Sequence, residues 1–545
     1  MRIPVILSVT AVLLSCHHPQ RVQMIFIHGK IYTVDSAYTT AEAMAVDKGK
    51  IVAVGSDADI LRNFEAEDNV TNLDGNPVYP GFIDAHAHFV EYGNSLFTDS
   101  LYGSASFEEV VQRVKVFSAA HPALPWIIGR GWDQNKFPGK GFPDNSPLNR
   151  LFPSTPVVLV RVDGHAMIAN AKALDLAGIH PGDKVAGGVA EMKNGKLTGV
   201  LIDNAMQRVY NAIPEPTPAE FAEQVDSAQR RCFAQGLTTV TEPGLGRRAI
   251  EMLDSLQKAL ILKMRIYVMV SDHKEDLDHY LPKGPYKTDL LYVKGVKAYA
   301  DGALGSRGAC LLQPYNDGKP GWVGFLRHPP EHFDSLAARL INTDWQMCTH
   351  AIGDSGNRMI LTVYNKYLKG KNDKRWRIEH AQVINDADFD KFAKTSVIPS
   401  VQPTHATSDM YWAGERLGPV RLKGAYAYKR LLAENGWLPL GTDCPVEDIS
   451  PFKTFLAAVF RVDAKGYPIG GFQPENSLTR EQAIRGMTIW AARADCLEKE
   501  IGSLEPGKQA DFVILDRDLM TVTAPEILQV RVLSTWSGGK SVFDR

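Results

Sequence analysis

Short hydrophobic runs alternate with amphipathic segments through the middle of the chain, and this alternation indicates a β/α architecture. Stretches such as 218–235 and 332–342 carry apolar residues at helical spacing. Apolar runs between such segments predict eight strands, at 78–84, 237–241, 264–270, 292–300, 346–350, 376–380, 397–402 and 438–442. Eight parallel strands favour a closed (β/α)8 barrel of the TIM type.

Both ends of the chain show the shorter alternation that is typical of antiparallel β structure. Apolar and polar residues alternate around turns at His28-Gly29 and Lys48-Gly49, which predicts two β-hairpins. We expect one small β-sandwich domain built from both chain ends, although two unrelated β flaps would fit the same pattern. The predicted organisation is a small domain at 21–77 plus 500–545, a barrel at 78–499, a loop-rich insertion at about 90–230 that builds the substrate cavity, and a closing helix at 479–497.

The first residues have the plan of a targeting segment, predicted at 1–16. Arg2 precedes an apolar run at 3–14 that is too short to cross a bilayer, and the run ends in Leu13-Leu14-Ser15-Cys16. This ending resembles a bacterial lipobox, which implies cleavage before Cys16 and a lipid on its sulfur. We therefore expect an exported protein, lipid-anchored on the periplasmic or surface side of a bacterial membrane. Plain secretion and a buried N-terminal helix are the alternatives.

The composition of the chain limits the kinds of molecule that the protein is expected to bind. The 545 residues are 44% hydrophobic and 22% charged, and the formal net charge is −2, so nucleic-acid binding has no electrostatic support. The expected partner is a small molecule, and the sequence leaves an oligomer open. Besides Cys16, the cysteines are Cys232, Cys310, Cys348, Cys444 and Cys496, whose irregular spacing favours small buried hydrophobic residues over a disulfide framework.

Five polar side chains follow predicted barrel strands. His86 and His88 come after the first strand and point to one face because they are two residues apart. His350 ends the fifth strand, His380 ends the sixth and Asp443 follows the eighth. Since the carboxyl ends of barrel strands share one mouth, we expect these side chains to converge and to bind metal.

Lys297 lies inside the fourth predicted strand, where a charged ammonium would be costly to bury. Lys294 points to the opposite side of the strand, whereas Asp301 shares the side of Lys297. An ammonium has no lone pair for a metal. A Lys297–Asp301 ion pair is therefore one interpretation, and a lysine carbamate that bridges two cations is the other.

These residues stand in order within a set of longer motifs. The chain resembles the amidohydrolase superfamily, and within it the branch that contains YtcJ-like proteins and N-substituted formamide deformylase. The motifs that carry this resemblance are His86-x-His88, Gly295-Val296-Lys297-x-x-Ala300-Asp301-Gly302-x-Leu304-Gly305-Ser306-Arg307, Thr349-His350-Ala351-Ile352-Gly353-Asp354, Arg377-Ile378-Glu379-His380, Asp443 and Gly502-Ser503-Leu504-Glu505-Pro506-Gly507-Lys508-x-Ala510-Asp511.

The resemblance implies a role for each metal position. His86 and His88 would hold one ion with Asp443, and His350 and His380 would hold the second. A CO₂-derived carbamate on Lys297 would bridge two divalent ions; the ligand set suits Zn²⁺, with Mn²⁺ and Fe²⁺ as the alternatives.

The implied activity is hydrolysis of a non-peptide carbon–nitrogen bond in an amide, N-formyl or cyclic amide substrate by a metal-activated hydroxide. Asp443 would be the catalytic proton acceptor and donor. Two alternatives are a deaminase of an amino-heterocycle with a related site and a non-catalytic, lipid-anchored binding protein. Polar and aromatic loop residues are candidate substrate contacts, with loop packing as the competing explanation: Trp132, His165, Arg307 and Trp322.

Overall fold

The computed structural model describes residues 18–545, so the predicted signal segment and Cys16 lie outside the described residues. The central sheet has seven parallel strands, each hydrogen-bonded to the next in chain order, and an eighth, two-residue strand, Tyr286–Lys287, that pairs antiparallel with the fourth of them. These barrel strands are Phe82–Asp84, Leu237–Leu245, Arg265–Ser271, Leu291–Tyr299, Gln346–Ala351, Arg377–His380 and Ile398–Ser400. No helix within residues 18–545 combines the length and apolar character needed to cross a membrane.

The eighth predicted strand, 438–442, forms backbone contacts to both edges of this sheet instead of a regular strand. Leu440 makes a parallel bridge with Val401 after the seventh strand. The Leu440 carbonyl also accepts a hydrogen bond from the Ala85 backbone at 3.1 Å, just after the first strand. The α/β barrel predicted from the sequence is confirmed, and this segment closes it.

Helices surround the barrel. Thr217 caps the helix that precedes the second strand by accepting a hydrogen bond from the Glu220 backbone, and Thr479 caps the closing segment in the same way. The closing segment is two helices, not one, because the chain leaves helical geometry around Thr488. The barrel helices are Pro218–Phe233, Arg247–Lys258, Lys274–Tyr280, Pro330–Leu340, Asp354–Leu368, Asp390–Lys394, Pro403–Asp409, Ala413–Leu422, Tyr428–Asn435, Pro451–Phe460, Arg480–Gly486 and Ile489–Ala494.

The sequence predicts a loop-rich insertion between the first two barrel strands. The structure shows instead that this segment has a sheet of its own. Its strands Ile127–Trp132 and Val157–Arg161 are buried apolar runs that pair in parallel. Around them lie the strands Asp99–Ser100, Ala166–Ala169, Gly188–Lys193 and Lys196–Asp203 and the helices Phe89–Ser95, Phe107–Ala120, Ser146–Leu151, Ala171–Leu176 and Gln207–Ala212. We call this segment the inserted domain.

Two further sheets form the sheet-rich domain. One contains Gln20–Ile27, Ala43–Asp47, Lys50–Gly55 and Phe64–Asn72. The other joins both chain ends, because it contains Lys30–Tyr32, Thr40–Ala41, Pro77–Pro80, Phe512–Leu515, Val532–Ser537 and Lys540–Asp544. Two short helices, Asp57–Asn63 and Ala524–Ile527, complete the ends. Phe26 packs edge-on against the stacked rings of Phe512 and Trp536, which ties the two sheets together.

One predicted hairpin is confirmed and one is wrong. Ala43–Asp47 and Lys50–Gly55 pair antiparallel around Lys48-Gly49. The strands on either side of His28-Gly29 instead lie in different sheets, because Gln20–Ile27 pairs with Ala43–Asp47. Alternating polarity predicts a strand but does not identify its partner, so the turn was misassigned.

The predicted strand 78–84 is two strands that separate at Gly81. Pro77–Pro80 belongs to the sheet-rich domain, and Phe82–Asp84 begins the barrel. A Cβ at Gly81 would lie 2.4 Å from the Thr238 side chain, so the close approach of these two segments of the chain requires glycine at position 81.

Asp84 fastens the first barrel strand to the segment that closes the barrel. Its buried carboxylate accepts hydrogen bonds from the Thr442 backbone at 3.0 Å, the Thr442 hydroxyl at 2.6 Å and the His86 backbone at 3.1 Å. The Asp443 backbone in turn donates to the His86 carbonyl at 2.6 Å. We call this set of contacts the Asp84 clasp. It brings residues 86–88 and residue 443 to one place.

We expect the Asp84→Ala substitution to destabilise the protein by about 3 kcal/mol, because it leaves three buried donors without an acceptor. Asp84→Asn keeps an acceptor oxygen and should cost roughly 1 kcal/mol. Guanidinium unfolding midpoints of chelator-treated protein measure both. Equal midpoints for the wild type and Asp84→Ala would show that the clasp contributes nothing to stability.

Candidate metal centre

The predicted metal-binding side chains meet at the carboxyl ends of the barrel strands. Asp443 Oδ1 lies 3.5 Å from His86 Nε2 and 3.4 Å from His88 Nε2. The His380 ring centre is 4.9 Å from that of His86 and 4.7 Å from that of His350. The structure therefore brings all five side chains into one cluster.

Burial sets the charge state of this cluster. Desolvation holds the pKa of His86 and His350 well below the usual value and lowers the pKa of His380 to about 3. Burial acts to raise the pKa of Asp443, but the hydrogen bond with His88 and the neighbouring imidazoles hold it well below its usual value. The cluster thus combines neutral imidazoles at His86, His350 and His380 with an ionised carboxylate, and the hydrogen bond with that carboxylate raises the pKa of His88 despite its burial.

Lys297 is fully buried at the centre of this cluster. Its Nζ lies 3.2 Å from His86 Nε2, and burial lowers its pKa to about 8. It forms no ion pair with a carboxylate of residues 18–545. The Asp301 carboxylate instead accepts backbone hydrogen bonds from Cys310, Ile352 and Gly353, so the Lys297–Asp301 pair does not form.

Neighbouring polar groups orient two of the imidazoles. His86 Nδ1 donates to Glu379 at 2.5 Å, and Glu379 pairs with Arg377 at 2.6 Å. His380 Nδ1 donates to the Gln402 side-chain carbonyl at 2.7 Å. Each bond occupies Nδ1 and leaves Nε2 for a ligand inside the cluster.

His405 is a fifth histidine of the cluster that the sequence analysis did not single out. It follows the seventh barrel strand on the helix Pro403–Asp409, and its Nε2 lies 3.7 Å from Asp443 Oδ2. This nitrogen is buried and has no hydrogen-bond partner within the described chain. The rule that predicts the other candidate ligands, a polar residue after a barrel strand, applies to His405 as well.

Two residues of the cluster have left-handed backbone geometry. The φ angles are 74° at His380 and 60° at Asp443, a region that side chains other than glycine seldom occupy. Such strain is retained where the position of a side chain matters more than local stability.

These donors suit divalent transition metals. His86, His88 and Asp443 form one group whose ligand atoms lie within 4.8 Å of one another, and His380, His405 and Asp443 form a second such group. Imidazole nitrogen and carboxylate oxygen are the ligands that Zn²⁺ takes in catalytic sites. Asp443 belongs to both groups, so two ions could share its carboxylate.

A cavity of about 680 Å³ opens above the cluster, with the inserted domain forming one wall. His350, His405 and Asp443 lie on its barrel side, and His165 faces them from the inserted domain. The His165 ring centre is 4.9 Å from that of His350. The cavity is thus large enough for a small organic substrate and ends at the metal-binding cluster.

His165 is oriented by Asp203, another residue that the sequence analysis missed. His165 Nδ1 lies 2.6 Å from Asp203 Oδ1, which leaves Nε2 as the free ring nitrogen. A Cβ at Gly302 would lie 2.2 Å from Asp203 Oδ2, so the glycine after Asp301 makes room for this carboxylate. Only the folded chain joins residues 165, 203 and 302, since they lie far apart in sequence.

The other three candidate substrate residues do not line this cavity. Trp132 is fully buried in the core of the inserted domain and donates to the Leu159 carbonyl at 2.8 Å. Arg307 pairs with Asp317 at 3.0 Å, and Trp322 donates to the Arg307 carbonyl at 2.9 Å. For these three residues the structure shows packing contacts within the protein, because their polar groups already have protein partners.

Comparison with known proteins agrees with this geometry. Residues 69–543 match the amidohydrolase family. Protein LONG AFTER FAR-RED 3 of Arabidopsis thaliana is 34% identical, with 95% of this chain and 91% of the relative aligned. An N-substituted formamide deformylase of Arthrobacter pascens is 24% identical, with 96% of this chain and 98% of the relative aligned.

Among solved structures, an uncharacterized metal-dependent hydrolase from Pyrococcus horikoshii superposes with a TM-score of 0.75 and 28% identity, over 92% of this chain and 99% of that one. The predicted resemblance, a hydrolase activity and a divalent metal are confirmed at this level. The chain belongs to the amidohydrolase family.

Proposed function

We propose that this protein hydrolyses a non-peptide carbon–nitrogen bond in a small, neutral amide, N-formyl or cyclic amide compound. The observation that carries the proposal is the convergence of four imidazoles, one carboxylate and one buried lysine at the inner end of one cavity. These groups belong to His86, His88, His350, His380, Asp443 and Lys297. An acyl carbonyl placed there would meet the cluster on one side and His165 on the other.

Two divalent ions, Zn²⁺ by ligand chemistry, would be held by these side chains. His86, His88 and Asp443 would bind one ion, and His350 and His380 the other, with His405 available to the second. Such ions lower the pKa of a water molecule and polarise a carbonyl.

Lys297 would take part as a carbamate formed with CO₂. Its amine is fully buried, forms no ion pair with a carboxylate of the described residues 18–545 and lies 3.2 Å from an imidazole of the cluster. A buried ammonium beside metal ions would be strongly unfavourable. Carboxylation would replace this cation by an anion whose two oxygens can each contact an ion. It would thereby remove the buried positive charge and supply ligand atoms for the metal.

Proton transfer would fall to Asp443. Its oxygens lie within 3.4 to 3.7 Å of His88, His86 and His405, and it is ionised. An oxygen of this carboxylate would accept the proton of the attacking water and later deliver it to the leaving nitrogen. Located at the cavity end, Asp443 is within reach of both partners.

His165 would bind the substrate carbonyl. The Asp203 carboxylate orients the ring through Nδ1, so that an N–H at Nε2 would donate a hydrogen bond to the carbonyl oxygen. The inserted domain would thereby complete a site that the barrel begins, and substrate would be held between two domains.

The buried arginines of the cavity wall favour a neutral substrate, whereas two further basic residues of the wall, Lys136 and Arg231, are exposed to solvent. Arg130 pairs with Glu91, and Arg161 pairs with Asp133 and Asp163 at 2.5 Å each. These buried guanidinium groups are therefore not free to bind a substrate carboxylate. The similarity to an N-substituted formamide deformylase supports an amide or formamide in particular.

We also propose, from the sequence alone, that the protein is exported and carries a lipid on Cys16. The short apolar run and the lipobox-like ending at Leu13-Leu14-Ser15-Cys16 support this. Its substrate would then be met outside the cytoplasm.

We expect zinc-loaded protein to convert N-substituted formamides, N-acyl amines or cyclic amides to a carboxylic acid and an amine, or to a ring-opened amino acid, as detected by mass spectrometry. Chelation should abolish turnover and added Zn²⁺ should restore it, because the donor set needs the ions. Ammonia release from amino-heterocycles alone would favour the deaminase, and metal binding without any turnover would favour the binding protein.

We expect Lys297→Ala to lose bound metal and to lower the rate by more than about 100-fold, since the bridging anion is gone. Small carboxylic acids such as acetate should restore part of the activity by supplying two oxygens. Lys294→Ala is the matched control, because Lys294 lies on the same strand and binds the Asp344 carbonyl instead. Full metal content and full rate in Lys297→Ala would eliminate the carbamate.

We expect His165→Asn to lower kcat by about 100-fold while metal content and thermal midpoint stay unchanged, because the lost donor acts on the substrate and not on the ions. Asp203→Asn should lower kcat less, since it only weakens the orientation of the ring. His180→Asn, at an exposed position of the inserted domain, is the control. A loss of metal in His165→Asn would reassign this residue to metal binding.

A further inference from the structure

A second group of potential ligands lies at the rim of the barrel, apart from the cavity. Asp272 directly follows the third barrel strand, His328 precedes the helix Pro330–Leu340, and His332 lies in its first turn. One ligand atom of each residue lies within 4.8 Å of the other two. None of the three lines the cavity, so this rim cluster is a separate site.

The backbone holds the rim cluster in place. The Arg327 backbone donates to the Ala300 carbonyl at 2.8 Å, and its side chain lies over the Tyr299 ring. This fixes the chain one residue before His328. Asp272 is fixed by the end of its strand, and His332 by its helix, so three rigid elements present the three side chains.

The contacts inside the cluster leave little to rearrange. His332 Nε2 lies 2.8 Å from Asp272 Oδ2, and the rings of His328 and His332 stack with centres 4.4 Å apart. A zinc ion between nitrogen and oxygen ligands would separate them to about 3.3 Å. A shift of this size needs only small side-chain rotations, since all three residues are partly exposed.

A hydrogen bond between His332 and Asp272 explains two members of the cluster but not the third. His328, which precedes the helix, adds a second imidazole whose ring stacks on that of His332. Two imidazoles and one carboxylate with partial access to water make a three-ligand set that leaves a fourth position for water.

We propose that Asp272, His328 and His332 bind one additional divalent transition-metal ion, with Zn²⁺ as the best match to the ligands. The ion would link the end of the third barrel strand to the helix that follows the fourth strand. It is distinct from the ions of the central cluster and does not depend on the proposed hydrolysis.

The test is equilibrium dialysis of metal-free, full-length protein against buffered Zn²⁺, followed by metal analysis. We expect the wild type to bind one equivalent more than the His328→Ala/His332→Ala double variant. His273→Ala should bind as much as the wild type, because His273 is an exposed histidine next to Asp272 that is not in the cluster. Co²⁺ in place of Zn²⁺ should give the wild type more visible absorption than the double variant, in which only the ions of the central cluster contribute.

Asp272→Asn keeps a hydrogen-bond partner for His332 but removes the anionic ligand, so it tests the site even where the double variant folds poorly. We expect its Zn²⁺ affinity at the rim to fall at least about tenfold. Equal zinc content in the wild type, the double variant and Asp272→Asn, or an extra equivalent that survives all substitutions, would overturn the proposal.

Discussion

The Asp84 clasp is the constraint on which the rest of the site depends. A parallel barrel is complete only when its first and last strands meet, and here the closing segment is too irregular to form a full strand. The Asp84 carboxylate replaces part of the missing ladder with hydrogen bonds to Thr442 and His86. The same bonds place His86, His88 and Asp443 side by side. The contacts that close the barrel are therefore the same contacts that assemble the candidate metal-binding cluster.

Burial then determines what the cluster can do. In water these imidazoles would titrate near neutral pH, but desolvation keeps those of His86, His350 and His380 neutral. Such a set of lone pairs beside one carboxylate is costly without a cation. The Nε2 of His405, which has no hydrogen-bond partner among residues 18–545, adds to this cost. Divalent ions relieve it, so stability and metal binding favour the same arrangement.

The sequence predicts the barrel and the candidate metal ligands because both follow local rules. An apolar run marks a strand, and a histidine or aspartate at its end marks the mouth, as at His350. Long-range partners have no such local signal. Which strands meet in space determines three features that the sequence does not predict. They are the His165–Asp203 pair, the core position of Trp132 and the change from one sheet to the other at His28. His405 lies between these two cases. It follows a predicted strand, as the other candidate ligands do, but it is displaced from the strand end onto the first turn of a helix.

The most direct measurement of the central claim is X-ray diffraction at the zinc absorption edge from crystals of the zinc-loaded protein. We expect two anomalous peaks among His86, His88, His350, His380 and Asp443, with electron density that extends beyond Nζ of Lys297 to a carboxylate between them. A bare Lys297 ammonium, with no anomalous peak in this cluster, would contradict it.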